Sequence, residues 1–344
     1  MKLFVKTDEK MKIAIYGAGS LGTVIGAFLT EAGMNVDLIN RNRSHVEGLK
    51  IKGAQITGTI EMQVPVKALL PEEMSEKYDI IFLLTKQQEN EKVVEQIARY
   101  LNEDGVICTA QNGFPELSVA EVIGEERTFG CTIAWGATMI GNGVSDLTSS
   151  PDSLTFSIGS LNGKNDEKLQ EIKKILEVVG PVDIERNFIG ARWSKLTINS
   201  AFSGMSAVLG CTLGEAAKNK ESRKCIQRIL KECFDVADAA GIQLEPVQGK
   251  DLRKLVGYTN RLKKWFSYLI IPIAIRKHAR LKASMLQDLE KGKRTEVDAI
   301  NGVVSQYGKK YHVATPYNDK VVELIHGIEE GNYTPYFDNV RFFK

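Results

Sequence analysis

KIAIY at Lys12 to Tyr16 runs straight into GAGSLG at residues 17–22, and this junction constrains the fold more than any other stretch. A short β-branched run reads as a strand. VIGAFLTEAG at 24–33 then reads as a helix closed by Gly33, and NVDLIN at 35–40 as a second strand. Gly17 lets the chain turn sharply from strand to helix. Gly19 lacks a side chain, so a pyrophosphate can approach backbone amides at the helix N-terminus. Gly22 permits close packing of helix on sheet. Strand, glycine turn, helix and strand together predict a dinucleotide site in which Gly17, Ala18, Gly19, Ser20, Leu21 and Gly22 bind the cofactor.

The end of the second strand bears on which dinucleotide. A carboxylate there would bind both ribose hydroxyls of NAD. This chain has Asn40, Arg41, Asn42 and Arg43 instead, and Asp37 lies too early, inside the strand. Arg41 and Arg43 suit a 2′-phosphate, which a carboxylate would repel. The expected cofactor is NADP(H), with Arg41 and Arg43 as candidates for its phosphate; the alternative is a pair of solvated loop arginines.

Beyond residue 78 the alternation continues. DIIFLLT (79–85) reads as a strand, Asn90 to Leu101 as an amphipathic helix, and GVICTAQNG (105–113) as a strand and turn. TFGCTIAWGATMIGNGVS (128–145), LTFSIGS (154–160) and PVDIERN (181–187) supply further strands. Such alternation predicts a mostly parallel sheet covered on both faces. From Phe188 the stretches 189–210, 225–241, 278–292 and 295–308 all read as helices. The predicted fold is therefore α/β: an N-terminal Rossmann-type dinucleotide-binding domain (1–186), then an all-α C-terminal domain (187–344). Met11 resembles a second natural start, so residues 1–10 read as an extension with no assigned function.

One stretch breaks the pattern. WFSYLIIPIAI (265–275) is apolar, interrupted by Pro272 and flanked by RLKK and RKHARLK. It is too short for a membrane span, which needs about 20 apolar residues. A buried helix pair is the plain reading; a subunit interface, hence a homodimer, or a membrane-surface contact are the alternatives.

Composition removes several classes. With 45 Lys and Arg against 43 Asp and Glu, the chain lacks the basic excess of a dedicated nucleic-acid binder. Five cysteines without CxxC spacing and four scattered histidines suggest neither a disulfide framework nor a metal site. A reducing, cytoplasmic setting is the expectation.

Lys86 in LTK (84–86) and Asn112 in QNG (111–113) follow strand ends, where ligands of open α/β sheets sit. Taken alone, each more often proves a surface lysine and a turn asparagine. On a helix, Lys195, Asn199 and Ser203 are spaced i, i+4, i+8 and share a polar face. A lysine there either snorkels to water or serves a site. Glu296 follows Thr295, a candidate helix cap, with Asp298 at the third helical position.

GAGSLG, the Arg41 region, LTK, QNG, WSKLTIN (193–199) and SMLQDLEKGKRTEVDAING (284–302) occur in an order that resembles the ketopantoate reductase (2-dehydropantoate 2-reductase) family, over most of 11–320. The resemblance implies NADPH-dependent reduction of 2-dehydropantoate to (R)-pantoate, a step toward pantothenate and coenzyme A. It implies Lys195 as general acid and Glu296 as its carboxylate partner. Asn199 and Ser284 would bind substrate, Ser203 joins them as a candidate from its place on the Lys195 face, and Lys86 and Asn112 would lie near nicotinamide and substrate. The partner implied is a small 2-keto acid, with no nucleic acid. The residues agree chemically, because hydride addition to a ketone creates an oxyanion that needs a positioned proton donor. Two departures bear on the substrate: Ser203 stands where the family usually has asparagine, and Leu281 where many members are polar. They keep open a reductase of another 2-keto acid. A catalytically silent NADP(H) sensor is the reading from a different class.

Overall fold

The computed structural model describes residues 11–164, 167–247 and 249–343; the proposed extension at 1–10 lies outside them. The chain divides into two compact units. One comprises residues up to Gln111 with Pro115–Phe188, the other Asn112–Phe114 with Ile189 onward.

In the first unit the strands are β1 (Lys12–Tyr16), β2 (Asn35–Ile39), β3 (Ala54–Gly58), β4 (Met62–Val64), β5 (Lys67–Leu69), β6 (Tyr78–Leu83), β7 (Leu101–Thr109), β8 (Thr128–Ile133), β9 (Ala137–Gly141), β10 (Val144–Leu147), β11 (Phe156–Ser160) and β12 (Val182–Ile184). Its helices are α1 (Ser20–Glu31), α2 (Arg43–Lys52), α3 (Asn90–Ala98), α4 (Glu116–Ile123) and α5 (Glu167–Leu176). Eight strands form one sheet in the order β12-β11-β8-β7-β6-β1-β2-β5. Ile13, Ile15, Leu38, Ile80 and Phe82 are buried on one face of it; Ala14, Tyr16, Ile39, Ile81 and Leu83 on the other. Burial of both faces explains why these strands read as unbroken apolar runs. Each buried Ile, Leu or Phe among them contributes about 1.5–3 kcal/mol. The chain leaves β1 toward β2 and returns to β6 on β1's other side, so the crevice beyond β1 and β6 is a topological switch point.

This is the α/β architecture expected, with two differences. β11 runs antiparallel to β8, whereas the other pairings of this sheet are parallel. A second sheet, β4-β3-β10-β9, also forms, and β3 pairs with β10 across some ninety residues of chain. The predicted helix from Asn90 stops at Ala98, and Leu101 already begins β7.

The second unit is helical: α6 (Phe188–Ile198), α7 (Gly204–Leu209), α8 (Leu213–Lys218), α9 (Lys220–Ala239), α10 (Leu252–Val256), α11 (Arg261–Ala274), α12 (Ser284–Glu290), α13 (Val297–Lys310) and α14 (Pro316–Glu329). α9 supplies the main apolar face, burying Ile226, Ile229, Leu230, Cys233, Phe234 and Val236. Three expectations are corrected here. Residues 278–292 are not one helix, since a 3₁₀ turn ends at His278 and α12 starts only at Ser284. Thr295 is not the cap of α13: Glu296 occupies that place, Asp298 is the second helical residue, and Thr295 Oγ1 accepts from the Val297 N–H at 3.2 Å. The apolar stretch 265–275 is not a buried pair either. α11 continues through Pro272, burying Ser267 and Ile271, while Leu262, Trp265, Phe266, Leu269 and Ile273 are exposed. Among the described residues no helix is long and apolar enough to cross a membrane.

Candidate active site

In the first unit the glycine turn closes as the motif requires. Gly17 has φ +98°, and a Cβ there would lie 2.6 Å from the Thr85 nitrogen. Only glycine fits both the conformation and the approach of the β6 end. Gly22 packs against the Gly17 carbonyl, where a Cβ would come within 2.8 Å. Gly19 differs, because a Cβ there would find nothing nearer than 3.9 Å. That open space lies over the N-terminus of α1, which has no side-chain cap and no acid in its first turn. The free N–H groups and the helix dipole favour an anion there. The residues present therefore fit a dinucleotide's pyrophosphate.

Beyond β2 the candidates separate. Asn42 caps α2 by accepting from the His45 N–H, and Asn40 accepts from the Asn42 N–H. Arg41 is exposed at the strand end, as is Arg43, which pairs with Glu72 at 3.1 Å. Asp37 is buried within β2 and accepts from the Tyr78 hydroxyl at 2.8 Å, with Lys67 at 3.2 Å. Its carboxylate is committed to the strand, away from any ribose. Burial and Asp37 together push the Tyr78 hydroxyl well above its ordinary pKa, so it stays a donor.

Lys86 lies exposed just after β6. The backbone before it is tied by a residue the sequence reading passed over. Gln111 donates to the Thr85 carbonyl at 2.9 Å and to Asn90 Oδ1 at 2.8 Å, while Thr109 donates to Gln111 Oε1. QNG had read as a turn signal, which concealed a buried glutamine.

In the second unit α6 carries Lys195. Arg192, Trp193, Ser194, Leu196 and Thr197 are buried around it, whereas Lys195 is only half-buried. Trp193 Nε1 donates to the Cys233 carbonyl at 3.0 Å and Ser194 Oγ to the Glu245 carbonyl at 2.7 Å. These bonds fix the rotation of α6 and set Lys195 at the edge of the core. Asn199 to Ser203 then form a π-helical turn between α6 and α7. Such turns recur at functional sites because the added residue re-aims side chains. Here Asn199 and Ser203, half-buried, bracket the buried Ser200, Ala201 and Phe202. A buried network holds the turn. Asn301 donates to the Ser200 carbonyl at 3.0 Å and to Asn318 Oδ1 at 2.9 Å. Asn318 in turn donates to Glu232 at 2.8 Å. Burial raises the Glu232 carboxyl above the usual range, and the Tyr317 and Asn318 amides oppose that shift.

Asn112 and Glu296 meet. The Asn112 amide donates to Glu296 Oε2 at 3.4 Å. Phe114 anchors the segment edge-on against Trp193 (6.1 Å) and Tyr307 (6.0 Å). Glu296 is half-buried, just before α13, whose first turn is steadied by Glu329 accepting from the Thr295 N–H at 2.7 Å. Ser284 stands exposed as the first residue of α12, and Leu281 is exposed in the preceding loop. The unit thus offers a half-buried amine on α6, two half-buried polar residues in the π turn that follows it, and a carboxylate held by an amide. Such a set can bind a polar acid and move a proton.

Comparison with known proteins follows the same division. The family profile "Ketopantoate reductase PanE/ApbA" matches residues 13–162, and its C-terminal counterpart matches 187–329. A 2-dehydropantoate 2-reductase of Aquifex aeolicus is 31% identical over 320 residues, covering 92% of this chain and 96% of that protein. One from Lactococcus lactis is 29% identical over 332 residues, covering 93% and 98%. D-mandelate dehydrogenase, solved with NADH and anilino(oxo)acetate, has a TM-score of 0.78 at 27% identity and covers 93% and 99%. A PanE/ApbA family ketopantoate reductase from Ralstonia eutropha has a TM-score of 0.78 at 23% identity over 93% and 99%, a likeness of fold.

Proposed function

The chain belongs to the ketopantoate reductase family, and from that membership we propose that it reduces 2-dehydropantoate to (R)-pantoate with NADPH. The observation that carries the reading is the placing of Lys195, a half-buried amine directly above the π turn that bears Asn199 and Ser203. Residues 17–22 would hold the dinucleotide, with Arg41 on its 2′-phosphate and Lys86 beside the nicotinamide, and the bound cofactor would supply hydride for the 2-keto carbon. Lys195 stabilises the growing charge on the keto oxygen and gives it a proton. Glu296 favours the charged amine, and Asn112 orients Glu296 through its amide. Asn199, Ser203 and Ser284 bind the substrate's carboxylate and hydroxyl. The product belongs to the route toward pantothenate and coenzyme A.

A second reading has its own support. The likeness to a D-mandelate dehydrogenase solved with NADH, together with Ser203 and Leu281, favours a related 2-keto acid, or NADH as the reductant. One experiment separates them: steady-state oxidation of NADPH and NADH with 2-dehydropantoate beside analogues lacking its hydroxyl. A site that bonds that hydroxyl rejects the analogues by about 10⁴-fold. Equal rates across the panel would favour the second reading.

A further inference from the structure

His45 has no part in the reaction above, yet it is fully buried beside the glycine turn. Its two ring nitrogens face opposite kinds of partner. Nδ1 lies 3.1 Å from the Gly143 backbone N–H; Nε2 lies 2.9 Å from the Ala18 carbonyl and 3.3 Å from the Thr23 hydroxyl, which itself donates to that carbonyl. The Gly143 N–H can only donate and the Ala18 carbonyl can only accept, so these two contacts are made together when Nδ1 accepts and Nε2 carries the proton. Burial pushes its pKa down, and the Ala18 and Gly141 backbones oppose that shift.

Both partners matter to the turn. The Ala18–Gly19 peptide is fixed at each end, its carbonyl by His45 and its N–H by the Gly17 carbonyl at 2.7 Å. This peptide leads directly into the uncapped N-terminus of α1. Gly143 lies in the tight turn between β9 and β10. There the hairpin backbone meets α2 so closely that a Cβ on Gly48 would come within 2.5 Å of Asn142. Ser145 of β10 makes a second tie, its hydroxyl donating to the Ser20 carbonyl at 2.9 Å. The hairpin so held places Met139 Cε beside the open space over Gly19.

We propose that His45 is a positioning residue for the dinucleotide, clamping the glycine turn and the β9–β10 hairpin together so that the phosphate-facing amides and the wall beside them are set before the cofactor arrives. The proposal rests on the dinucleotide reading of residues 17–22. It differs from a purely structural role in predicting a loss confined to the cofactor.

The test titrates the full-length wild type, His45→Leu, His45→Asn and His45→Gln with NADPH and with NADH by fluorescence. Thermal unfolding is followed in parallel, as are the keto-acid KM and kcat at saturating cofactor. Glutamine carries one acceptor and one donor at about the reach of the far ring nitrogen, and asparagine, one methylene shorter, falls short of it. The expected result is a Kd for both dinucleotides raised about tenfold by Leu and by Asn, as for loss of a buried hydrogen bond or two. Gln should restore most of it, with kcat at saturation and keto-acid KM within about twofold of wild type. Should the Leu variant not fold, the Asn and Gln pair decides. Cofactor affinity unchanged in a folded Leu or Asn variant, or equal loss in Asn and Gln, overturns the proposal. A wild type that binds neither dinucleotide overturns the underlying reading instead.

Discussion

The Asn112 side chain donates to the Glu296 carboxylate at 3.4 Å, joining residues 184 positions apart in sequence. A hydrogen bond to a charged group contributes about 1.5–3 kcal/mol. Asn112→Ala should therefore lower kcat/KM for the keto acid by about 10- to 100-fold, with the Kd for NADPH raised only a little. Steady-state kinetics beside a cofactor titration check this. Full activity in the variant would mean that Glu296 needs no such partner.

Gly17 and Gly19 should separate folding from binding. Gly17→Ala places a methyl 2.6 Å from the Thr85 nitrogen at φ +98°, so it should cost about 1–3 kcal/mol in urea unfolding. Gly19→Ala meets nothing within 3.9 Å and should leave stability nearly unchanged while weakening NADPH binding by an order of magnitude or more, about the effect of filling the pyrophosphate's space. Destabilisation by both, with no selective loss of binding, would contradict the cradle.

Arg41 is exposed at the end of β2, as is Arg43, which pairs with Glu72. Arg41→Ala should weaken NADPH by about 10- to 100-fold and NADH much less, since only one carries the 2′-phosphate. Fluorescence titration of both cofactors gives the comparison. An equal loss for the two would remove Arg41 from cofactor selection.

Glu232 gives a pH signature. Its folded carboxyl is raised by burial, so between the unfolded value of about 4.3 and the folded one the native state holds more protons than the unfolded state. Its contribution to stability is thus fully present at low pH and lost as pH rises through the folded pKa. In urea unfolding, the stability of the wild type relative to Glu232→Gln should be greater near about pH 4.5 than near about pH 7.5. A difference that does not vary with pH would mean Glu232 titrates alike in both states.

Much of the fold could be read because its signals are local. The glycine turn lies within six residues, and β1, β2, β6 and β7 announce themselves as apolar runs. The second sheet could not be read so. Its strands are three to five residues long, and β3 finds its partner only at β10. The π turn left no mark in the 3.6-residue pattern, because Asn199 and Ser203 share a face with Lys195 either way. The exposure of α11 was hidden for another reason: hydrophobicity tells what gains by burial, and it does not tell whether the fold supplies a partner. Among the candidate residues, Lys195, Asn199 and Ser203 could be grouped by spacing, and Asn112 and Glu296 only through the family resemblance. Gln111, His45 and Asn301 were missed because each is ordinary in its own segment and matters through a bond to a distant one.

The central claim is that the Lys195 amine protonates the keto oxygen as NADPH is consumed. Pre-steady-state NADPH oxidation with saturating 2-dehydropantoate, in wild type and Lys195→Ala, tests it most directly, with the NADPH Kd of each measured alongside. The account predicts a fall of about 10²- to 10⁴-fold in the hydride-transfer rate with the Kd nearly unchanged. A variant that transfers hydride within about tenfold of the wild-type rate would contradict it.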